Sequence, residues 1–231
     1  SYGGQAMDIA RYIDHAVLKP EMKQNEVIKA ILEGIHYSAR TVCVRPCDID
    51  LALELCKGSQ TEVSCVLAFP RGNVPSEVKA FEASQYVKKG VQEIDMVANY
   101  SYIRSGLWDL VLKDIRAVTD ITKKSGVVLK VIFETCTLNE EEIRKTTEIC
   151  IEAGADFVKT STGFHNGGAT EEAVRAMLDA AKGRIKVKAS GGIRDIKTAK
   201  HYIDLGCERL GVGYSTTPVL VKGEGQSKSA Y

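Results

Sequence analysis

The sequence predicts an α/β protein, a (β/α)8 barrel, from three observations. Short β-rich runs alternate with amphipathic helical patterns along the whole chain. Several of those runs are continuously apolar rather than alternating, as strands covered on both faces are. No Pro-, Ser- or Gly-rich linker divides the 231 residues. The expectation is one (β/α)8 barrel domain over residues 1–231 with a flexible tail from about 222 to 231, whose "KGEGQSKSAY" is polar and Gly/Ser-rich. A doubly wound open sheet is the alternative, but its usual G-x-G-x-x-G turn is missing from the first βα loop.

The elements follow in order. Tyr12–Val17 reads as the first strand and Asn25–Glu33 as its helix. Thr41–Val44 leads to Ile49–Lys57, Val63–Phe69 to Ser76–Lys89, and Glu93–Ala98 to Leu107–Lys124. Val127–Glu134 precedes a helix over Asn139–Ala153, where Asn139 is an N-cap followed by three glutamates that favour the positive end of the helix. Phe157–Ser161 precedes Thr170–Lys182, with Thr170 before Glu171 and Glu172 in the same role. Lys186–Ser190, the helix Asp195–Leu205 and the last strand Arg209–Gly213 complete the set. Gly58, Gly90, Gly154, Gly183 and Gly206 close helices, since glycine adopts the left-handed conformation at C′ without a Cβ penalty.

Bulk properties narrow the function. The formal net charge is +1, with 31 basic and 30 acidic residues interleaved, which argues against nucleic acid and membrane surfaces as partners. No apolar run of about 18 residues occurs, and the start "SYGGQAMDIA" lacks the basic-then-apolar order of a secretory signal. The seven cysteines are scattered without a C-x-x-C pair and read as reduced thiols of a cytoplasmic protein.

The chemistry lies in the strands. Lys130 in "VVLKVIF", Lys159 in "DFVKTST" and Lys188 in "IKVKASGG" fall on three successive strands, and Asp95 in "QEIDMVAN" on the one before. A lone strand lysine is as readily an edge residue or one snorkelling to water, but a closed barrel has no edges. Three amines beside one acid suit imine formation. An ordinary lysine has a pKa of about 10.4, so about one amine in 2,500 is neutral at pH 7, and only the neutral form attacks a carbonyl. Burial and a second cation lower that pKa, so one lysine as nucleophile and another as perturbing cation divide the work, with Asp95 moving protons. Spacing alone leaves Lys159 and Lys188 equal candidates for the nucleophile.

The loops after the seventh and eighth strands are the usual phosphate site of this fold. They read "SGGIRD" and "GVGYSTTP" here, making Gly191, Gly192, Gly211, Gly213 and Ser215 the phosphate candidates, with Arg194 and Thr162 weaker ones. A small phosphorylated sugar is the expected substrate class. A metal-dependent reaction would want converging histidines, and His15, His36, His165 and His201 are widely spaced.

Taken together, "IDHAVLKP", "EIDMVAN", "FETCTL", "FVKTSTGF", "KASGGIR" and the ending "KSAY" resemble the deoxyribose-phosphate aldolase family over nearly the whole chain. The resemblance implies a class I aldolase without metal or organic cofactor, cleaving 2-deoxy-D-ribose 5-phosphate to acetaldehyde and D-glyceraldehyde 3-phosphate. It implies Lys159 as the imine-forming lysine, Lys188 as the second active-site lysine and Asp95 as the proton relay. Lys130, Asp14 and Cys43 are implied as supporting residues, and Tyr231 as a C-terminal tyrosine that some members fold over the site. A disordered end is the competing expectation for Tyr231. The chain departs from the family pattern at Ala16, where threonine is usual, in "NYSYIRSG", and in the last loop, Gly211-Val212-Gly213-Tyr214-Ser215. Another lysine-dependent aldolase, a transaldolase and a phosphosugar-binding regulator are competing functions, and a homodimer is a compatible assembly.

Overall fold

Eight parallel strands close on themselves in the order β1 to β8, and helices cover the outside. The structure, a computed structural model, describes residues 8–228 and 231; Ser229 and Ala230, within the expected flexible tail, lie outside the described residues. The strands are β1 Ile13–Val17, β2 Thr41–Val44, β3 Glu62–Leu67, β4 Glu93–Val97, β5 Val128–Ile132, β6 Phe157–Lys159, β7 Lys186–Ser190 and β8 Arg209–Gly213. The helices are α1 Gln24–His36, α2 Ile49–Cys56, α3 Ser76–Lys89, α4 Tyr100–Arg104, α5 Trp108–Thr122, α6 Glu140–Ala153, α7 Glu171–Ala181, α8 Ile196–Leu205 and α9 Thr217–Lys222. No helix is long and apolar enough to cross a membrane, among the described residues.

The ladder that closes β8 on β1 removes the edges of an open sheet. Strand residues pointing outward, such as Val42, Ile94, Met96, Leu129, Val158 and Leu210, join the helices' inner faces in one apolar layer. This explains the continuous apolar runs: one set of alternate residues meets the helices, the other fills the barrel. Toward the N-terminal end of the barrel the Phe157 ring is buried, with the Arg209 guanidinium 5.0 Å, Lys186 Nζ 5.5 Å and Lys130 Nζ 5.9 Å from its centroid.

Caps set the helix starts. Asn139 accepts from the Glu142 N–H while Glu142 accepts from the Asn139 N–H, a capping box, and Thr170 and Asp195 accept from the N–H groups of Ala173 and Thr198. At the end of α7 the first left-handed residue is Lys182, at φ +50°, one place before the expected Gly183. Strand β6 stops at Lys159, two residues before the expected Ser161; beyond it Thr160 still bonds to Lys188 and Ser190 of β7, while the Thr162 N–H turns to Glu134 in the loop after β5.

Candidate active site

Register places the predicted residues together. Asp95 of β4 lies opposite Lys130 of β5, and Lys159 of β6 opposite Lys188 of β7, so all four side chains point into the barrel. All are buried, at 0 to 1 % exposure. Asp95 is the hub: Oδ1 is 2.8 Å from Lys130 Nζ, and Oδ2 is 3.0 Å from Lys159 Nζ and 2.9 Å from Lys188 Nζ.

A second layer lies beneath. Asp14 on β1 accepts from Lys188 at 2.6 Å, from Thr41 at 2.7 Å and from Arg209 at 2.8 Å. Glu93 accepts from Lys130 and from Arg209, each at 2.5 Å. The cluster therefore holds four cations (Lys130, Lys159, Lys188, Arg209) and three carboxylates (Asp14, Glu93, Asp95) in a buried interior. Lys130 touches all three carboxylates, Arg209 two and Lys188 two, whereas Lys159 touches Asp95 alone. Lys159 is thus the cation with the fewest carboxylate contacts, and loss of a proton from it would leave every carboxylate still paired with another cation. That arrangement distinguishes Lys159 from Lys188, which spacing could not do.

The resting electrostatics correct one expectation. Lys188 and burial were to hold the Lys159 pKa low. Burial does pull it down, but the Tyr231 phenol, the Asp95 carboxylate and the Cys43 thiol outweigh burial and place it above the usual lysine value. Phenol and thiol act this way only when ionised, so at neutral pH Asp95 is the partner that keeps Lys159 an ammonium. Lys188 and Lys130 are raised too, against burial, by Asp14 and Asp95. Asp95 itself is desolvated, yet Lys130, Lys188 and Lys159 hold it far below the usual carboxylate range.

The mouth is apolar on one side. Ala16, Leu18, Cys43, Val66 and Tyr231 form a separate buried cluster, with Phe69 and Phe164 against it. Burial, reinforced by Asp95, pushes the Cys43 thiol up, so it faces the site as a small neutral group. Ala16, Phe164, Gly213, Ser215 and Tyr231 line a small cavity there. A larger groove lies among Trp108, Arg144, Glu148 and Lys182 on the helical layer and is lined by none of Lys130, Lys159 and Lys188.

Tyr231 does not follow the expectation of a loose end. It is 8 % exposed, its hydroxyl is 3.5 Å from Lys159 Nζ, and its main-chain oxygen accepts from the Gly192 N–H at 2.8 Å. A Cβ at Gly163 would stand 2.3 Å from the Tyr231 ring, so glycine makes the seat.

The phosphate candidates divide. Gly191 and Gly192, both at positive φ, and Ser215 lie in loops at the mouth. Gly211 and Gly213 lie inside β8 rather than beyond it. A Cβ at Gly211 would stand 2.9 Å from Lys188 Cε, so this glycine makes room for the lysine. Thr162 gives its hydroxyl to Glu134 Oε2 at 2.5 Å and its N–H to Oε1 at 3.1 Å, which commits both donors away from a ligand.

Sequence reasoning missed Glu93, Arg209 and Glu134. Glu93 carries a usable signal: it stands two residues before Asp95 on one strand and so shares its face. Arg209 opens β8 opposite Lys188, a pairing that only register reveals. Glu134 reaches Thr162 through a left-handed backbone, φ +58°, that no local pattern announces in a glutamate. Among the described residues no group of three or more side chains is arranged to hold a metal ion.

Comparison with known proteins follows this geometry. The model of the DeoC/LacD family aldolases matches residues 9–212. A deoxyribose-phosphate aldolase of Caldanaerobacter subterraneus is 48 % identical over 206 residues, 89 % of each chain. One from Exiguobacterium is 44 % identical over 226 residues, 97 % of this chain and all of its own. The solved structure described as QR15, an aldolase, superposes with a TM-score of 0.88 at 44 % identity, covering 94 % of this chain and 96 % of its own.

Proposed function

Because this chain belongs to the DeoC/LacD aldolase family, we propose that it is a class I aldolase that reversibly cleaves 2-deoxy-D-ribose 5-phosphate to acetaldehyde and D-glyceraldehyde 3-phosphate. The observation that carries this reading is Lys159, a fully buried amine with a single carboxylate contact in a cluster that holds one cation in excess.

Lys159 loses its proton and attacks the aldehyde carbon C1 of the open-chain sugar. Loss of water gives a protonated imine, which restores the positive charge beside Asp95. As the iminium is discharged to the neutral enamine, Asp95 is left with two charged lysines beside it instead of three cations and becomes a better proton acceptor. Asp95, through water, then takes the proton of the C3 hydroxyl. The C2–C3 electron pair flows into the iminium, and glyceraldehyde 3-phosphate departs. The enamine on Lys159 is protonated at C2, with the Tyr231 hydroxyl as donor, and hydrolysis frees acetaldehyde.

The Gly191-Gly192 loop and Ser215 hold the phosphate. Supporting this, both glycines adopt left-handed conformations, and the buried Ser161 hydroxyl beside Gly191 has no hydrogen-bond partner among the described residues. Cytoplasmic residence and a homodimer complete the proposal. The dimer is supported by exposed apolar side chains on two packed helices, Val78 and Phe81 on α3 and Leu110 on α5, with Leu107 just before α5.

Borohydride added with deoxyribose 5-phosphate tests the mechanism. The expected result is irreversible inactivation, with a reduced two-carbon adduct mapped by mass spectrometry to Lys159. Lys159→Leu is expected to remain folded and lose activity by about 10⁴-fold or more. An adduct on Lys188 would reverse the assignment, and no adduct with full sugar-phosphate binding would favour a binding regulator.

A further inference from the structure

The tail touches both ends of the place the substrate is to occupy. At one end the Tyr231 hydroxyl stands 3.5 Å from Lys159 Nζ. At the other, the Tyr231 main-chain oxygen takes the Gly192 N–H at 2.8 Å. A second bond, from the Ser227 N–H to the Arg194 oxygen at 2.9 Å, anchors the tail to the same loop. The seat is shaped for the ring: Cβ atoms at Gly163 and Gly211 would stand 2.3 Å from Tyr231 Cδ2 and 3.3 Å from its hydroxyl oxygen. A backbone N–H carries one hydrogen and donates one good bond. A phosphate oxygen and the tail therefore exclude each other at Gly192.

We propose that the main chain of Tyr231 is a specificity determinant. While docked, it holds the Gly192 N–H that the substrate phosphate needs, and so lowers the enzyme's preference for phosphorylated over unphosphorylated substrates. The inference rests on the reading of the Gly191-Gly192 loop as the phosphate site. The phosphate meets a binding-competent loop only in the undocked fraction, so its apparent affinity falls by that fraction. An unphosphorylated sugar makes no demand on Gly192 and is unaffected at that end.

Three chains separate the main chain's effect from that of the hydroxyl: the full chain, Tyr231→Phe, and a chain ending at Lys228. For each, the ratio of kcat/KM for deoxyribose 5-phosphate to that for 2-deoxyribose is measured, together with the Kd of inorganic phosphate by calorimetry. In the shortened chain, phosphate is expected to bind about two- to tenfold more tightly, the worth of one released hydrogen bond, and the ratio to rise by the same factor. Its kcat falls for both substrates. Tyr231→Phe keeps the main-chain contact, so kcat falls while the ratio and the phosphate Kd stay as in the full chain. Equal phosphate affinity in the full and shortened chains overturns the inference and leaves the phosphate site standing. Failure of inorganic phosphate to compete with the sugar phosphate in either chain overturns the phosphate site, and the inference with it.

Discussion

At the residue scale the site is a problem of charge buried away from bulk solvent. Asp95 serves three lysines at once, so no amine can be changed without altering the others. Lys159 and Lys188 repel each other when both are charged, and Lys159 lowers the Lys188 pKa through that repulsion. Removing the Lys188 charge in Lys188→Met lets Lys159 keep its proton to higher pH. The acidic limb of the kcat/KM profile is then expected to move upward in pH, and activity at neutral pH to fall by about 10²-fold or more. A profile that keeps its shape and only loses height would show Lys188 to act elsewhere. The sequence made Lys130, Lys159, Lys188 and Asp95 visible because a charge inside an apolar run demands an explanation. It did not reveal which amine is nucleophilic. That depends on how many carboxylates each one meets, and Asp14 and Arg209 come from strands far apart in the sequence that only closure of the barrel brings alongside.

At the scale of elements, His15 shows how a strand is tied to its helices. Its ring lies outside the barrel and is fully buried, with Nε2 2.7 Å from the Ala30 oxygen on α1 and Nδ1 2.7 Å from Thr217 Oγ1 on α9. Carbonyl oxygen only accepts, so Nε2 donates and Nδ1 accepts the Thr217 proton: the neutral tautomer fits. A Cβ at Gly34 would lie 2.7 Å from the ring, so glycine is needed in α1 where the ring passes. Burial lowers the His15 pKa to about 4, against a weaker upward pull from the Ala30 carbonyl. Above the ordinary value of 6.5 neither folded nor unfolded chain holds this proton. Between 6.5 and about 4 only the unfolded chain takes it up, so stability falls with falling pH by up to about 3 kcal/mol. Urea unfolding across this range is expected to show that slope, and His15→Asn to flatten it. The depressed Asp14 and Asp95 carboxylates act only at lower pH, below the usual carboxylate range. Helix starts at Asn139, Thr170 and Asp195 were readable because a cap is a local event, whereas α4 and α9, at five and six residues, are too short to show a period.

At the scale of the whole molecule, the βα alternation carried the fold, because parallel strands joined by helices leave few closed solutions. Closure itself, β8 on β1, is a long-range pairing with no local signature. The proposed dimer would be read on the outside of the barrel. Phe81 is 65 % exposed, on a helix packed against the one that carries Leu110. Light scattering is expected to give about twice the 25.2 kDa of one chain, and Phe81→Lys to return it toward one. A monomer in both cases would remove the dimer.

The buried Phe157 at the base of the barrel, ringed by Lys130, Lys186 and Arg209, has a consequence for traffic. On the proposed mechanism, substrate enters and products leave at the opposite end, the mouth between the βα loops. With the two-carbon fragment held on Lys159, as proposed, its three-carbon partner lies nearer the mouth and is expected to go first. That departure would also release the Gly192 N–H to the Tyr231 main chain, which on the proposal above competes with the phosphate for it.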